Sequence, residues 1–119
     1  MRKRFLANTF SPMMLGEGTK AVIFRDIPDW LIRRSIKEDI IVSIVSHETT
    51  AKILSALFHK DIEFNRANVQ LQPGDKLLCI IPNFRASEAR EFTPEEVEAA
   101  GFKSFMVHVE SEEYGLEGY

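Results

Sequence analysis

Cysteine is almost absent from this 119-residue chain; Cys79 stands alone. A single thiol excludes an intrachain disulfide framework and any multi-cysteine zinc or iron–sulfur site. Long apolar runs are missing too. The two longest, Ile40 to Val45 with Ser43 inside and Leu77 to Pro82, fall far short of the ~20 residues that carry a helix across a bilayer. There is no P-loop, no GxGxxG and no HExxH spacing for a metal. Repeats and low-complexity segments are absent as well. Nor is there an excess of positive charge: 15 Lys and Arg face 18 Asp and Glu, for a net charge of -3. The imbalance sits in residues 110–119, which hold Glu110, Glu112, Glu113 and Glu117 and no base. Residues 1–109 therefore carry 15 bases against 14 acids. Such a body lacks the basic stripe of a strong duplex nucleic-acid binder. It remains compatible with a small anionic ligand held by a few placed groups.

What is present is an ordinary globular balance, 45% hydrophobic and 28% charged, in a length that suits one domain. Residues 1–109 are read as that domain and 110–119 as an acidic, flexible tail. Met1-Arg-Lys-Arg has the basic start of a signal peptide, but Asn8, Ser11 and Pro12 interrupt the apolar region that should follow. The expected location is the cytoplasm.

Local patterns predict alternating strands and helices. Lys3 to Asn8 reads as a strand with Phe5 and Ala7 on one face and Leu6 on the other. Ser11 caps a short turn with Pro12 at its first position and Gly16 at its end. Ala21 to Phe24 reads as a second strand. A helix opened by Asp26 and Pro28 carries Trp30, Leu31 and Ile36, with Arg33, Arg34 and Lys37 on its polar face. Asp39 to Val45 is almost continuously apolar and predicts a central strand buried on both faces. A helix from His47 to about Phe58 repeats Ala51, Leu54 and Phe58 at helical spacing. Pro73-Gly74 marks a turn, and Lys76 to Ile81 a second central strand. A polar loop over Pro82 to Phe92 leads to the capping box Thr93-Pro-Glu-Glu96. The helix it starts ends at Gly101, and Phe102 to Val109 alternates as a last strand. The expected fold is α+β: one mixed sheet with helices packed over it.

Ligands of open sheets bind at the carboxyl ends of strands, which singles out two segments. The first is Ser46-His47-Glu48-Thr49-Thr50, where a strand ends and a helix begins. Helix starts offer unpaired N–H groups and a positive dipole end. Ser46, Thr49 and Thr50 add hydroxyls, and His47 an imidazole able to hold a proton near neutral pH. Together these suit a phosphate ester with a proton donor beside it; a helix cap with a surface histidine uses the same residues. The second segment holds Arg85 and Glu88, a cation for phosphate and a carboxylate for a ribose hydroxyl, or a solvated loop pair. Asn8, Ser11 and Arg66 also fall at strand ends or turns. Cys79, amid Leu77, Leu78, Ile80 and Ile81, is expected in the core. Trp30 is assigned to core or interface, and His59 and His108 to the surface or an edge.

Several segments share an order and spacing. Phe5-Leu-Ala-Asn-Thr-Phe-Ser11 with Met13-Met-Leu15, Ser46-His-Glu-Thr-Thr50, and Ile62 to Gln70 with Asn65-Arg66 come first. The Pro73-Gly-Asp turn, the apolar strand, Arg85, Glu88 and Thr93 to Val97 follow. Over roughly residues 3–109 this order resembles the viral anti-CRISPR ring nucleases that act on type III immunity. Ser46 to Thr50 looks like that family's Gly-His-Asp-Ser-Thr block, with Ser46 in place of glycine. Phe84 stands where members often have glutamine. The resemblance implies a homodimer that holds cyclic tetra-adenylate at its two-fold interface and opens it in the cytoplasm, the host's if the source is viral. It implies His47 as general acid, Glu88 and Arg85 supporting catalysis, and Asn8, Ser11 and Arg66 as ligand contacts. No metal or other cofactor is expected, because RNA supplies its own 2′-OH nucleophile. Two other classes stay open: a cyclic-oligonucleotide sponge that binds without cutting, and a small dimeric DNA-binding regulator using Arg33, Arg34 and Lys37.

Overall fold

The computed structural model describes residues 3–38, 41–83 and 93–111. Five strands form one mixed sheet: β1 (Arg4–Ala7), β2 (Thr19–Arg25), β3 (Val42–Ser43), β4 (Lys76–Pro82) and β5 (Phe102–Ser111). Their order is β2-β5-β4-β1-β3. β1 runs parallel to both β3 and β4, whereas β5 is antiparallel to β4 and β2. Three helices join them: α1 (Asp29–Glu38), α2 (Glu48–Phe58) and α3 (Pro94–Ala100). The mixed α+β sheet expected from the sequence is the observed fold.

Strand alternation divides the core in two. Leu6, Leu78 and Ile80 pack with Ile32 and Ile36 of α1, Leu54 and Leu57 of α2, and Val97 of α3. The opposite face of the same strands offers Phe5, Ala7, Leu77, Cys79, Val107 and Val109. No α-helix among the described residues packs on that face. It meets Met14 and Leu15 from the 3-10 turn Pro12–Met14, together with Val69 and Leu71. These two coil segments bond as an isolated pair: Gly16 N–H donates to Leu71 O at 2.9 Å and Leu71 N–H to Met14 O at 2.7 Å. A Cβ on Gly16 would lie 2.8 Å from Leu71 O, so only glycine permits this approach.

Caps behave as their residues dictate. Ser11 Oγ accepts from Met13 N–H at 3.3 Å. Thr93 and Glu96 form a reciprocal capping box on α3, which ends at Gly101. Asp75, 3% exposed, bonds through both carboxylate oxygens: Oδ1 accepts from Lys3 N–H at 3.1 Å and Oδ2 from Gln72 N–H at 2.9 Å. With Lys76 N–H donating to Lys3 O at 2.9 Å, this carboxylate sets the register of β4 against β1.

Two expectations need correction and two are narrowed. The segment expected as a central strand over Asp39 to Val45 is an edge: β3 spans two residues, and Val42 is 43% exposed. Beyond it, Val45 bridges Phe64 and Ser43 Oγ donates to Glu63 O at 2.6 Å. Coil thus takes the hydrogen bonds a further strand would need. The apolar content is still used, since Ile44 and Val45 enter opposite cores. Trp30 is 63% exposed and lies outside both cores, which removes the core alternative and leaves the interface one. On the polar face of α1, Arg33 is held internally: its Nε meets Asp29 Oδ2 at 2.8 Å, it donates to Leu57 O at 3.2 Å, and it stacks 5.5 Å over Phe58. Finally, β5 runs past the expected boundary at 109, pairing Glu110 with Lys20 and Ser111 with Thr19.

Candidate functional site

Because β1 and β3 are parallel neighbours, their carboxyl ends open on the same side of the molecule. Asn8 follows β1 directly. Its Oδ1 accepts from Ser46 N–H at 3.2 Å and from Ser46 Oγ at 3.5 Å. This contact spans 38 residues of sequence and clamps the segment leading into α2. From the other side, Arg66 Nε donates to Ser46 O at 3.2 Å, and its guanidinium stacks 5.5 Å over the Phe64 ring. Asn65 secures the same coil, donating from its amide side chain to Ser43 O at 3.0 Å and from its backbone to Val45 O at 2.8 Å. Ser46 is therefore held at both its N–H and its carbonyl.

His47 is the next residue and the N-cap of α2. Its backbone is extended, φ -123° and ψ 128°, and its side chain makes no capping hydrogen bond. The imidazole is exposed at a helix start. Ser, Thr, Asp and Asn are the residues that satisfy this position, whereas the His47 side chain claims none of the helix N–H groups. Thr49 in the first turn is half-buried, whereas Thr50 is 4% exposed and faces the core.

Of the residues singled out in the sequence, Asn8, Ser46, His47 and Arg66 thus come together, two by direct bonds to Ser46 and His47 by chain continuity. Ser11 lies three residues past Asn8, with its hydroxyl engaged in its own turn. Arg85 and Glu88, like Phe84, lie outside the described residues. The role of Asn65 as a clamp was hidden in sequence, because its partners lie some 20 residues upstream. Among the described residues, no three His, Cys, Asp or Glu side chains gather where they could share a metal ion. Cys79 is fully buried, and burial pushes its thiol up to about 12; it is a core group and not a nucleophile.

The family model that matches this chain, STIV B116-like, covers residues 4–104. The chain belongs to the STIV B116-like family. Relatives come from filamentous viruses of archaea. "Uncharacterized protein ORF116" of Acidianus filamentous virus 1 is 30% identical over 93 residues, which are 78% of this chain and 80% of the relative. "Uncharacterized protein 26" of Sulfolobus islandicus filamentous virus is 38% identical over 77 residues, 64% and 65% of the two chains. Among solved structures, B116 of Sulfolobus turreted icosahedral virus superposes with a TM-score of 0.72 at 21% identity, covering 89% of this chain and 98% of that one. The B116-like sheet is thereby common to both. These relatives are proteins of archaeal viruses, which fits a viral protein. No helix among the described residues is long and apolar enough to cross a membrane.

Proposed function

We propose that this B116-like protein is a metal-independent ring nuclease that opens cyclic tetra-adenylate and so silences type III CRISPR effectors. One observation carries the reading: His47 stands exposed at the N-cap of α2 with no capping duty, next to a Ser46 held from both sides by Asn8 and Arg66. That is where an anionic phosphodiester finds helix N–H groups and a proton donor together.

In the proposed reaction the ribose 2′-oxygen attacks the adjacent phosphorus as the P–O5′ bond breaks. His47 gives its proton to the departing 5′-oxygen. The 2′-OH proton passes to Glu88 or to solvent, and Arg85 with the start of α2 supports charge on the phosphorane. Asn8, Ser11, Ser46, Thr49 and Arg66 form the proposed ligand surface; Thr50, buried beneath it, is not a contact. Two cuts give linear di-adenylates ending in 2′,3′-cyclic phosphate. A two-fold homodimer suits a four-fold repetitive ring, because opposite halves of the ligand meet identical surfaces.

The test is an assay in EDTA, with wild type and His47→Ala each mixed with cyclic tetra-adenylate. Linear di-adenylate from wild type alone supports the enzyme and the role of His47. Binding without cleavage by both proteins makes it a sponge, and neither binding nor cleavage ends the reading. The regulator alternative is weakened because Arg33 is tied to Asp29, Leu57 and Phe58. Tight duplex DNA binding with a steep salt slope would revive it.

A further inference from the structure

Phe64 is a large apolar side chain at the surface: it is 43% exposed and belongs to neither core. A single exposed ring needs no explanation by itself. This one is distinguished by how firmly it is presented and by what stands next to it. Before it, Glu63 O accepts from Ser43 Oγ at 2.6 Å. After it, Asn65 donates from its backbone to Val45 O at 2.8 Å and from its side chain to Ser43 O at 3.0 Å. Phe64 itself is the bridge partner of Val45, which is fully buried. Its backbone is thus fixed against the coil that leads into Ser46 and His47, although it lies outside the five strands.

The Arg66 guanidinium carbon lies 5.5 Å from the centroid of the Phe64 ring, and Arg66 Nε donates to Ser46 O at 3.2 Å. Ring, guanidinium and the residue before the N-cap of α2 therefore form one continuous surface. Cation–π attraction and the bond to Ser46 hold the two planes in place before any ligand arrives. Exposed aromatic and arginine planes are the surfaces on which unpaired bases stack. A nucleotide carries its base one ribose away from its phosphate. Here an aromatic plane stands one arginine side chain away from Ser46, beside the helix start that suits the phosphate.

We propose that Phe64 is the base-stacking residue of the carboxyl-end site: one adenine of the bound ring lies against Phe64 while an adjacent phosphate meets the start of α2. The inference rests on the proposed reading of that site as one for cyclic tetra-adenylate. It adds a residue that grips the base and does not touch the reacting atoms.

The probe is a ring of four 2′-fluoroadenylates, which keeps the bases and phosphates but has no 2′-OH to attack, so the chain holds it uncut. Calorimetric titration gives its affinity for wild type, Phe64→Ala, Phe64→Leu and Phe64→Tyr, with each melting temperature recorded and cleavage of the natural ring assayed alongside. Phe64→Ala and Phe64→Leu should each bind at least about tenfold more weakly, the usual loss when a stacking aromatic is removed. Phe64→Leu keeps the apolar bulk if Phe64→Ala lowers the melting temperature. Phe64→Tyr, which keeps the ring, should bind like wild type. In Phe64→Trp the probe should quench indole emission saturably, a change that Trp30 in the wild-type chain should not show. Wild-type affinity in Phe64→Ala or Phe64→Leu overturns the stack, and continued cleavage of the natural ring then leaves the nuclease reading standing. Binding that depends on the aromatic ring, without cleavage of the natural ligand, retains the stack and discards the nuclease. A wild-type chain that does not bind the probe overturns the stack, and with it the nuclease reading where the natural ring is not cut either.

Discussion

At the carboxyl ends of β1 and β3, the uncharged Asn8 and Asn65 and the cationic Arg66 are tied to main-chain atoms by hydrogen bonds. At the amino ends of β1 and β4, a buried carboxylate sets the register, and Arg4, Lys76 and His108 stand in one row of strand partners. Both ends hold an anchor between distant segments, Asn8 to Ser46 in one case and Asp75 to Lys3 in the other. Asn8 is half-buried and uncharged, whereas Asp75 is buried and accepts two backbone bonds. The difference teaches that the first end is arranged to present an imidazole at a helix start. The second is arranged to fix which residues of β1 and β4 stand opposite one another.

The largest effect expected from breaking this comparison falls at the carboxyl end. His47→Ala should lower turnover of cyclic tetra-adenylate by about 10²–10⁴-fold, the usual contribution of a general acid, while thermal melting stays at the wild-type value. Histidine caps nothing through its side chain, so stability has little to lose. Unchanged turnover would move the chemistry away from this end.

Next is Asp75→Ala, which leaves two backbone N–H groups without their charged acceptor. A loss of about 3 kcal/mol is expected in urea denaturation, since hydrogen bonds to charged groups contribute about 1.5–3 kcal/mol each. Asn8→Ala removes a neutral acceptor at a half-buried site, and about 1 kcal/mol is expected. Equal losses would show that the two anchors are not different in kind. Asn8→Ala should also reduce ring binding, because Ser46 would then be held only through its carbonyl by Arg66.

The smallest effect is a pH dependence. His108 is held below its ordinary pKa of about 6.5. The folded state therefore binds fewer protons than the unfolded state once pH drops beneath that value. Stability is intact above it and falls as pH descends through the folded pKa. The group is only partly buried, and solvent screening should keep the effect under about 0.5 kcal/mol. Denaturation of wild type and His108→Gln at pH 7.5 and 5 measures it: the variant should lose less stability on acidification. In Lys76→Gln, an NMR titration should show the His108 pKa rising toward its ordinary value.

Much of this was legible along the chain because it depends on neighbours a few residues apart. The Ser11 cap, the Thr93–Glu96 box, the end of α3 at Gly101 and the two faces of Phe5-Leu6-Ala7 follow from local stereochemistry and alternation, and each is found in place. Ser46-His47 at a strand-to-helix junction was readable for the same reason. The apolar run ending at Val45 was misleading, since burial on both faces by two cores looks identical in sequence to a central strand. His108 looked like an edge residue because nothing within a few positions of it is basic. Its neighbour Lys76 lies 32 residues away and is set beside it by strand pairing.

The sequence by itself determined most of the elements, though not the length or place of β3, together with the helix caps and which residues would be apolar enough to fill two cores. Those properties follow from side-chain chemistry and short-range hydrogen bonds. Only the tertiary structure decided the strand order, the clamping of Ser46 by Asn8 and Arg66, and the basic row of Arg4, Lys76 and His108. Register is a property of paired strands, selected by long-range contacts such as the two bonds to Asp75, and no single segment carries it.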